Sequence, residues 1–478
     1  MDVVLEKILT NFDKISAIPR CSKSEAAIGK WLCDWAAAAQ LEYERDVAGN
    51  IVIRLPASAG YENSQSVVLQ GHMDMVCEKI PSSKHNFTRD GIVTIREGDW
   101  LRADGTTLGA DNGVAIVLAM AIVEEGIPHP PLELLFTVDE ETGLTGAGFL
   151  EPGFLRSRRL INLDSEGEGA FTVGCAGGRD AIISLPLEYD AASDNSEFLK
   201  ITVSGSRGGH SGADIHKNHA NAIKILARLL YNLKSEFSFN LISIQGGQAH
   251  NAIARDASAT ICIFPEELEA ISDNINQLTD IIQQEFRTQD PELTIHLSNT
   301  EKPHEMVTEI DTFRAISLLM ALPHGLTAMS PDIPGLVETS NNLAVIGIEN
   351  KSLNMLISIR SSVASRIDAL AARISSIAEL AGAEVTTSDG YPAWEADISS
   401  QLLLTSQKVY SALFGKEANV LTIHAGLECG VIGKIFPDME MISFGPTIKN
   451  AHSPDEKLFL PSLSRTWEFL VQLLAALK

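Results

Sequence analysis

Several short stretches of this chain pair an apolar run with side chains that bind cations or move protons. Gly71-His72-Met73-Asp74 follows one such run. Ala110-Asp111-Asn112-Gly113 stands before a second. Asp139-Glu140-Glu141-Thr142-Gly143 follows LELLFTV, and Asn162-Leu163-Asp164-Ser165-Glu166 overlaps the end of RLINL. Singly, each has an ordinary explanation. An Asp before a helix caps its free N–H groups, a Glu-Glu turn is solvated, and a strand His is hydrogen-bonded structure. As a set they would strand charge at one sheet edge, where burial is costly without a cation. Asn450-Ala451-His452-Ser453-Pro454 supplies a second imidazole. Mixed imidazole and carboxylate donors suit Zn²⁺, Mn²⁺ or Co²⁺ better than Ca²⁺ or Mg²⁺.

The elements that must position these groups read as α/β. Residues 3–15 and 25–39 have helical spacing, with Ser24 as the expected N-cap of the second helix. Strands are expected at 50–55 and 66–70, and an apolar helix at 113–125. The continuous apolar runs 132–138 and 159–163 suit strands buried on both faces. Ligands of open α/β sheets gather beyond the carboxyl ends of the strands, where these motifs fall. The pattern changes at GCAGG (174–178), read as a hinge. Strand 199–204, helix 219–233, strands 241–245 and 257–264, helix 271–287 and strand 293–298 then spell βαββαβ, the ferredoxin-like order. Helix 310–321, strands 342–348 and 353–360, helix 364–380 and strand 384–388 repeat it with the first strand missing or unclear. After Trp394 come helix 399–413, a strand-and-loop run over 419–446 and a helix opening at Pro461. The expected organisation is a catalytic domain with a mixed sheet flanked by helices, built from 1–178 and 393–478. Into it is inserted an α+β lid, 179–392, of two ferredoxin-like units.

At 478 residues, two or three domains are expected. A formal charge of -25 argues against a nucleic-acid partner. That acidity reads either as a soluble, self-repelling surface or as carboxylates gathered at a cation site. The six cysteines (21, 33, 77, 175, 262 and 429) form no C-x-x-C pair and read as reduced thiols of a cytoplasmic protein. No basic region precedes an apolar run at the N-terminus, and the longest apolar stretch, 113–123, is too short to span a bilayer. No membrane association is expected. Phosphate-loop, H-E-x-x-H and G-x-S-x-G patterns are all lacking.

The ordered set GHMD, ADNG, DEETG, NLDSE and NAHSPDE resembles the dinuclear zinc exopeptidases of the carnosinase, aminoacylase and carboxypeptidase G family. SRGGHSG (206–212), GGQAHNAIA (246–254), HAGLECG (424–430) and the doubled lid are most similar to that family's bacterial Xaa-His dipeptidases. The resemblance implies two divalent ions per chain, Zn²⁺ first, with Mn²⁺ or Co²⁺ as alternatives. It implies that Asp111 bridges them, that His72 and Asp164 complete one site, and that Glu141 and His452 complete the other. Asp74 would orient His72, and Glu140 would be the general base. His210 would stabilise the oxyanion, against the plainer reading of a surface histidine in a flexible turn. Asn251 and Arg360 would bind substrate, although a structural ion pair competes as the role of Arg360. Gly426 would let backbone approach the substrate. The implied activity is cleavage of unblocked dipeptides. The rivals are an N-acyl-amino-acid hydrolase and a non-catalytic metal-binding scaffold. Homodimers are compatible with it, and the doubled lid would let His210 act within its own chain. The histidines at 85, 129, 216, 219, 250, 296, 304, 324 and 424 read as structural or surface residues.

Overall fold

Strands that are apolar on both faces have to be covered on both faces, and the first sheet shows this directly. Ile51–Leu55, Val67–His72 and Leu132–Thr137 are buried at every position. The computed structural model describes residues 3–192, 196–331, 333 and 335–478. These divide into two compact units. One comprises Met1–Cys175, Trp394–Thr422 and Leu427–Lys478, the other Ala176–Ala393 and Ile423–Gly426.

The sheet of the first unit runs in the order Glu42–Arg45, Ile51–Leu55, Leu132–Thr137, Val67–His72, Arg159–Asn162, Glu440–Ser443, Ala170–Cys175 and Asn419–Ile423. Its four central strands are mutually parallel, from Leu132–Thr137 through Val67–His72 and Arg159–Asn162 to Glu440–Ser443. Their carboxyl ends therefore share one edge. Helix Ala110–Glu124 is buried on all sides from Ala110 to Ile122 except at Asp111, so it lies inside the core. Gly71 is what lets it come close. A Cβ there would stand 2.2 Å from Asn112 Oδ1 and 2.3 Å from the Ala115 Cβ.

Two sequence expectations are corrected in this unit. Ser24 does not cap the second helix: Ala26–Ala38 starts after Glu25, with no side-chain cap. Glu25 instead turns inward and accepts N–H bonds from Lys23 and Asp139, which draws the helix start one residue on. Nor are all six cysteines thiols. Cys21 and Cys77 are joined by a disulfide, while Cys33, Cys175, Cys262 and Cys429 are free. The two partners are 56 residues apart in sequence, so spacing gave no sign of the pair. Among the described residues no helix is long and apolar enough to cross a membrane.

The second unit has its own core and one long sheet. Its strand order is Thr294–Asn299, Glu197–Ser204, Ala257–Ile263, Asn240–Gly246, Val337–Glu349, Ser352–Ser361, Gly177–Pro186 and Glu384–Thr387. The first four form the βαββαβ arrangement with helices Ala222–Glu236 and Leu268–Phe286. The last four mirror them across the Asn240–Gly246/Val337–Glu349 seam. The strand that the sequence left missing from the second repeat is Gly177–Pro186, which pairs with both Ser352–Ser361 and Glu384–Thr387. It lies ahead of the whole first repeat in the chain, so the first repeat is an insertion within the second.

Candidate active site

The donors of the first unit meet around one side chain. Asp111 sits at a break in its helix, where its own φ/ψ and those of Asn112 are non-helical. Its Oδ1 is 3.2 Å from His72 Nε2 and its Oδ2 is 3.1 Å from His452 Nε2. Asp164 Oδ1 lies 3.4 Å from the same His72 nitrogen, and Glu141 Oε2 lies 3.0 Å from the same His452 nitrogen. Asp111 thus stands between two pairs, each of one imidazole and one carboxylate. His72, Asp111 and Asp164 form one group able to hold a metal ion, and Asp111, Glu141 and His452 form another. Glu140 joins His72 and Glu141 in a third. His452 is held on left-handed backbone (φ 62°), a strain that persists only where surrounding structure fixes it.

These groups fit cations. Burial and the neighbours Asp111 and Glu141 push Asp164 up to about 7, although His72 opposes the shift. Hydrogen bonds to Asp111 and Glu141 push His452 up to about 11. Burial, reinforced by Asp164, Glu428 and Glu141, holds Glu140 well above the usual carboxyl range. Glu141 Oε1 is buried without a hydrogen-bond partner. Carboxylates that resist sharing a dry site, with an orphaned oxygen among them, are what bound cations relieve.

The surrounding shell holds the donors in place. Asp74 Oδ1 is 3.2 Å from His72 Nδ1. Asp74 also accepts the Glu140 and Glu141 N–H groups at 3.1 and 3.2 Å and the Ser22 hydroxyl at 2.8 Å. Burial alone would raise this carboxyl, yet His72 and these donors bring it down to about 2. One carboxylate therefore lies against the His72 imidazole and holds the Glu140–Glu141 turn.

Other supports escaped the sequence reading. Buried Arg20 donates to the Met73, Asp74 and Gly109 carbonyls, tying the loop after His72 to the one before Asp111. Glu456 accepts the backbone N–H groups of Leu108, Gly109, Ala110 and Asp111 at 2.7–3.2 Å. Glu428 accepts from Gln70 and Thr137, both at 2.6 Å, and Gln70 in turn accepts from Asn162. Sequence could have flagged Glu456, which closes the NAHSPDE motif, and Glu428, which lies in HAGLECG.

The remaining candidates belong to the second unit. His210 Nδ1 accepts the Gly212 and Ala213 N–H groups at 3.2 and 3.0 Å, so the neutral ring carries its proton on Nε2. Burial and Arg360 hold its pKa below the usual histidine value. Arg360 is 6% exposed, and among the described residues no carboxylate lies within ion-pair distance of it. Its Nη1 donates to the Tyr391 hydroxyl at 2.8 Å. The structural ion pair that competed for Arg360 is thus not found among the described residues. Asn251 is exposed in a turn, its carbonyl accepting the Ser211 N–H. Gly426 lies in the short segment Ile423–Gly426. His424, grouped by sequence with structural and surface histidines, is 2.7 Å from the Ser340 hydroxyl, and Arg360 and His210 help burial push it down to about 4.

Comparison with known proteins agrees with this geometry. Residues 68–476 match the model of peptidase family M20/M25/M40. The chain is 39% identical over 466 residues to the cytosol non-specific dipeptidase of Escherichia coli (strain K12), covering 97% of this chain and 96% of that protein. It superposes on the crystal structure of aminoacylhistidine dipeptidase from Vibrio alginolyticus with a TM-score of 0.91 and 38% identity, covering 98% of this chain and 96% of that one. An aminopeptidase of Bacillus cereus, at 17% identity and a TM-score of 0.58, shares the fold. With its donors gathered about Asp111 and its family model matched over most of its length, this chain belongs to peptidase family M20/M25/M40, a metal-dependent family of peptide-bond hydrolases.

Proposed function

We propose that this chain is a dipeptidase that hydrolyses unblocked dipeptides, Xaa-His among them, at a centre of two divalent ions, Zn²⁺ first. The observation that carries the proposal is Asp111 standing between His72–Asp164 on one side and His452–Glu141 on the other. The dipeptidase reading draws on the relatives from Escherichia coli and Vibrio alginolyticus. The Escherichia coli protein's description also supports a cytosolic setting.

His72, Asp111 and Asp164 would hold one ion, and Asp111, Glu141 and His452 the other. Bound there, the ions would supply Lewis-acid activation of water and of the scissile carbonyl. The protein's own groups do the rest. Glu140 is the general base, accepting the proton of the attacking water and passing it to the departing amine. A carboxyl whose pKa burial has raised is well matched to both halves of that task. Asp74 keeps His72 in register and the Glu140 turn in place. His210 presents Nε2–H to the developing oxyanion, and its lowered pKa keeps the ring neutral. Arg360 takes the substrate's terminal carboxylate, Asn251 contributes a polar contact, and Gly426 lets backbone approach the substrate. Residues 179–392 act as a lid that excludes water during turnover.

The test is to assay metal-reconstituted protein on Ala-His and on N-acetyl-His. Cleavage of Ala-His by a margin of at least ~10²-fold is expected. Preference for N-acetyl-His would replace the proposal with an N-acyl-amino-acid hydrolase, and no turnover of either by fully metallated protein would leave a scaffold.

A further inference from the structure

Arg360 occupies the middle of a row across three strands. Its cross-strand neighbours are Ser340 on one side and Gly178 on the other. Directly opposed residues on antiparallel strands put their side chains on the same face, so the missing side chain of Gly178 leaves a slot beside the guanidinium. The ring of Tyr391 fills that slot. A Cβ on Gly178 would stand 2.5 Å from Tyr391 Cζ and 2.6 Å from its hydroxyl oxygen. Backbone pairing locks the ring there, with Gly178 N to Tyr391 O at 3.0 Å and Tyr391 N to Gly178 O at 2.9 Å. From this position the phenol oxygen accepts from Arg360 Nη1 at 2.8 Å. On the other flank, Ser340 holds His424 at 2.7 Å.

The consequence lies in which edge of the guanidinium stays without a partner. An arginine side chain has many rotamers, and a bidentate carboxylate bond needs one of them. Nη1 is committed to Tyr391. Nε is buried and has no partner, and among the described residues nothing hydrogen-bonds to Nη2. The edge left over is the Nε–Nη2 edge, which matches the two oxygens of a carboxylate. Tyr391 and Gly178 sit on the segments by which the chain leaves and enters the second unit, which tethers the ring at its base.

We propose that Tyr391 is a positioning residue that fixes Arg360 in the orientation that grips the terminal carboxylate of a dipeptide, with Gly178 providing the space. This rests on the reading of Arg360 given above. The role is to set specificity for a free C-terminus.

The experiment compares Ala-His with its C-terminal amide in wild type, Tyr391→Phe, Gly178→Ala and Arg360→Gln, all metal-reconstituted, with thermal melts to confirm folding. Wild type should prefer the free acid. Y391F should raise KM for Ala-His about tenfold with kcat within about threefold, and leave the amide unchanged. G178A, which displaces the ring without removing the hydroxyl, should give the same pattern. It also replaces Y391F as the reporter should that variant not fold. In the double variant the two effects should fall short of additive, since both act on one contact. An acid-to-amide preference that survives in Y391F and G178A while R360Q abolishes it would overturn the role of Tyr391 and leave Arg360 standing. A wild type and R360Q that both treat acid and amide alike would overturn the Arg360 reading itself.

Discussion

Asp111 and Glu140 differ in what their loss should do. Asp111 touches both imidazoles, at 3.2 and 3.1 Å. Asp111→Ala is therefore expected to lower metal content at both sites and to abolish activity. Elemental analysis that still found two metals per chain would rule it out as the shared ligand. Glu140 lies among the donors, but its side chain makes no direct bond to either imidazole. Glu140→Gln should keep both metals and lose at least ~10²-fold in turnover, the scale of general-base loss. Near-normal kcat in a fully metallated variant would remove its assignment. The convergence of these residues was legible because each ends or begins an apolar run, and parallel strands send their ends to one edge. Arg20 and Tyr391 were not legible, because their partners lie tens to hundreds of residues away and nothing in their own surroundings distinguishes them from ordinary polar residues. Glu428 and His424 fall within HAGLECG, but their partners are as distant, so the motif gave no contact for them.

At the scale of elements, the site depends on how closely helix Ala110–Glu124 lies on strand Val67–His72. Gly71 sets that distance, because any side chain there meets Asn112 and Ala115. Asn112 also donates to the Leu163 carbonyl at 2.7 Å and accepts the His72 N–H at 3.2 Å. One residue thus ties the segments carrying His72, Asp111 and Asp164. Gly71→Ala should cost about 1–3 kcal/mol from overpacking and weaken metal binding about tenfold, read by a thermal melt and a metal titration. A shift in melting with unchanged metal affinity would mean the donors do not rely on this contact. Element type and order were readable from periodicity: helix 364–380 was anticipated over its observed span, Ala364–Leu380. What periodicity could not supply was pairing. The partners of Gly177–Pro186 lie more than a hundred residues away, Ser352–Ser361 and Glu384–Thr387, so the first strand of the second repeat stayed unidentified.

At the scale of the whole molecule, the two large hydrophobic cores among the described residues have no residue in common, one in each unit. Two-state unfolding is an approximation for single domains, so two calorimetric transitions are expected, each answering to its own lever. The candidate donors belong to the folded first unit, so metal should raise that transition alone, by up to about 2.7 kcal/mol at a hundredfold excess over Kd. Acid should act on the second unit. His324 accepts from the Leu343 N–H at 3.3 Å, and burial, with Lys224 nearby, pushes it from the ordinary 6.5 down to about 4. The sign follows from proton uptake. Between those values the unfolded chain binds a proton that the folded unit refuses. The stabilisation is therefore complete above pH 6.5 and lost as pH falls toward 4, amounting to up to about 3 kcal/mol. His424, likewise pushed down to about 4, adds in the same direction. Scanning calorimetry at pH 7 and pH 5, with and without Zn²⁺, should show one transition that moves with metal and another that ignores metal and falls with acid. His324→Gln should reduce the acid shift of the second and leave the first alone. A single transition that moves as one body under both levers would mean that the two cores unfold together.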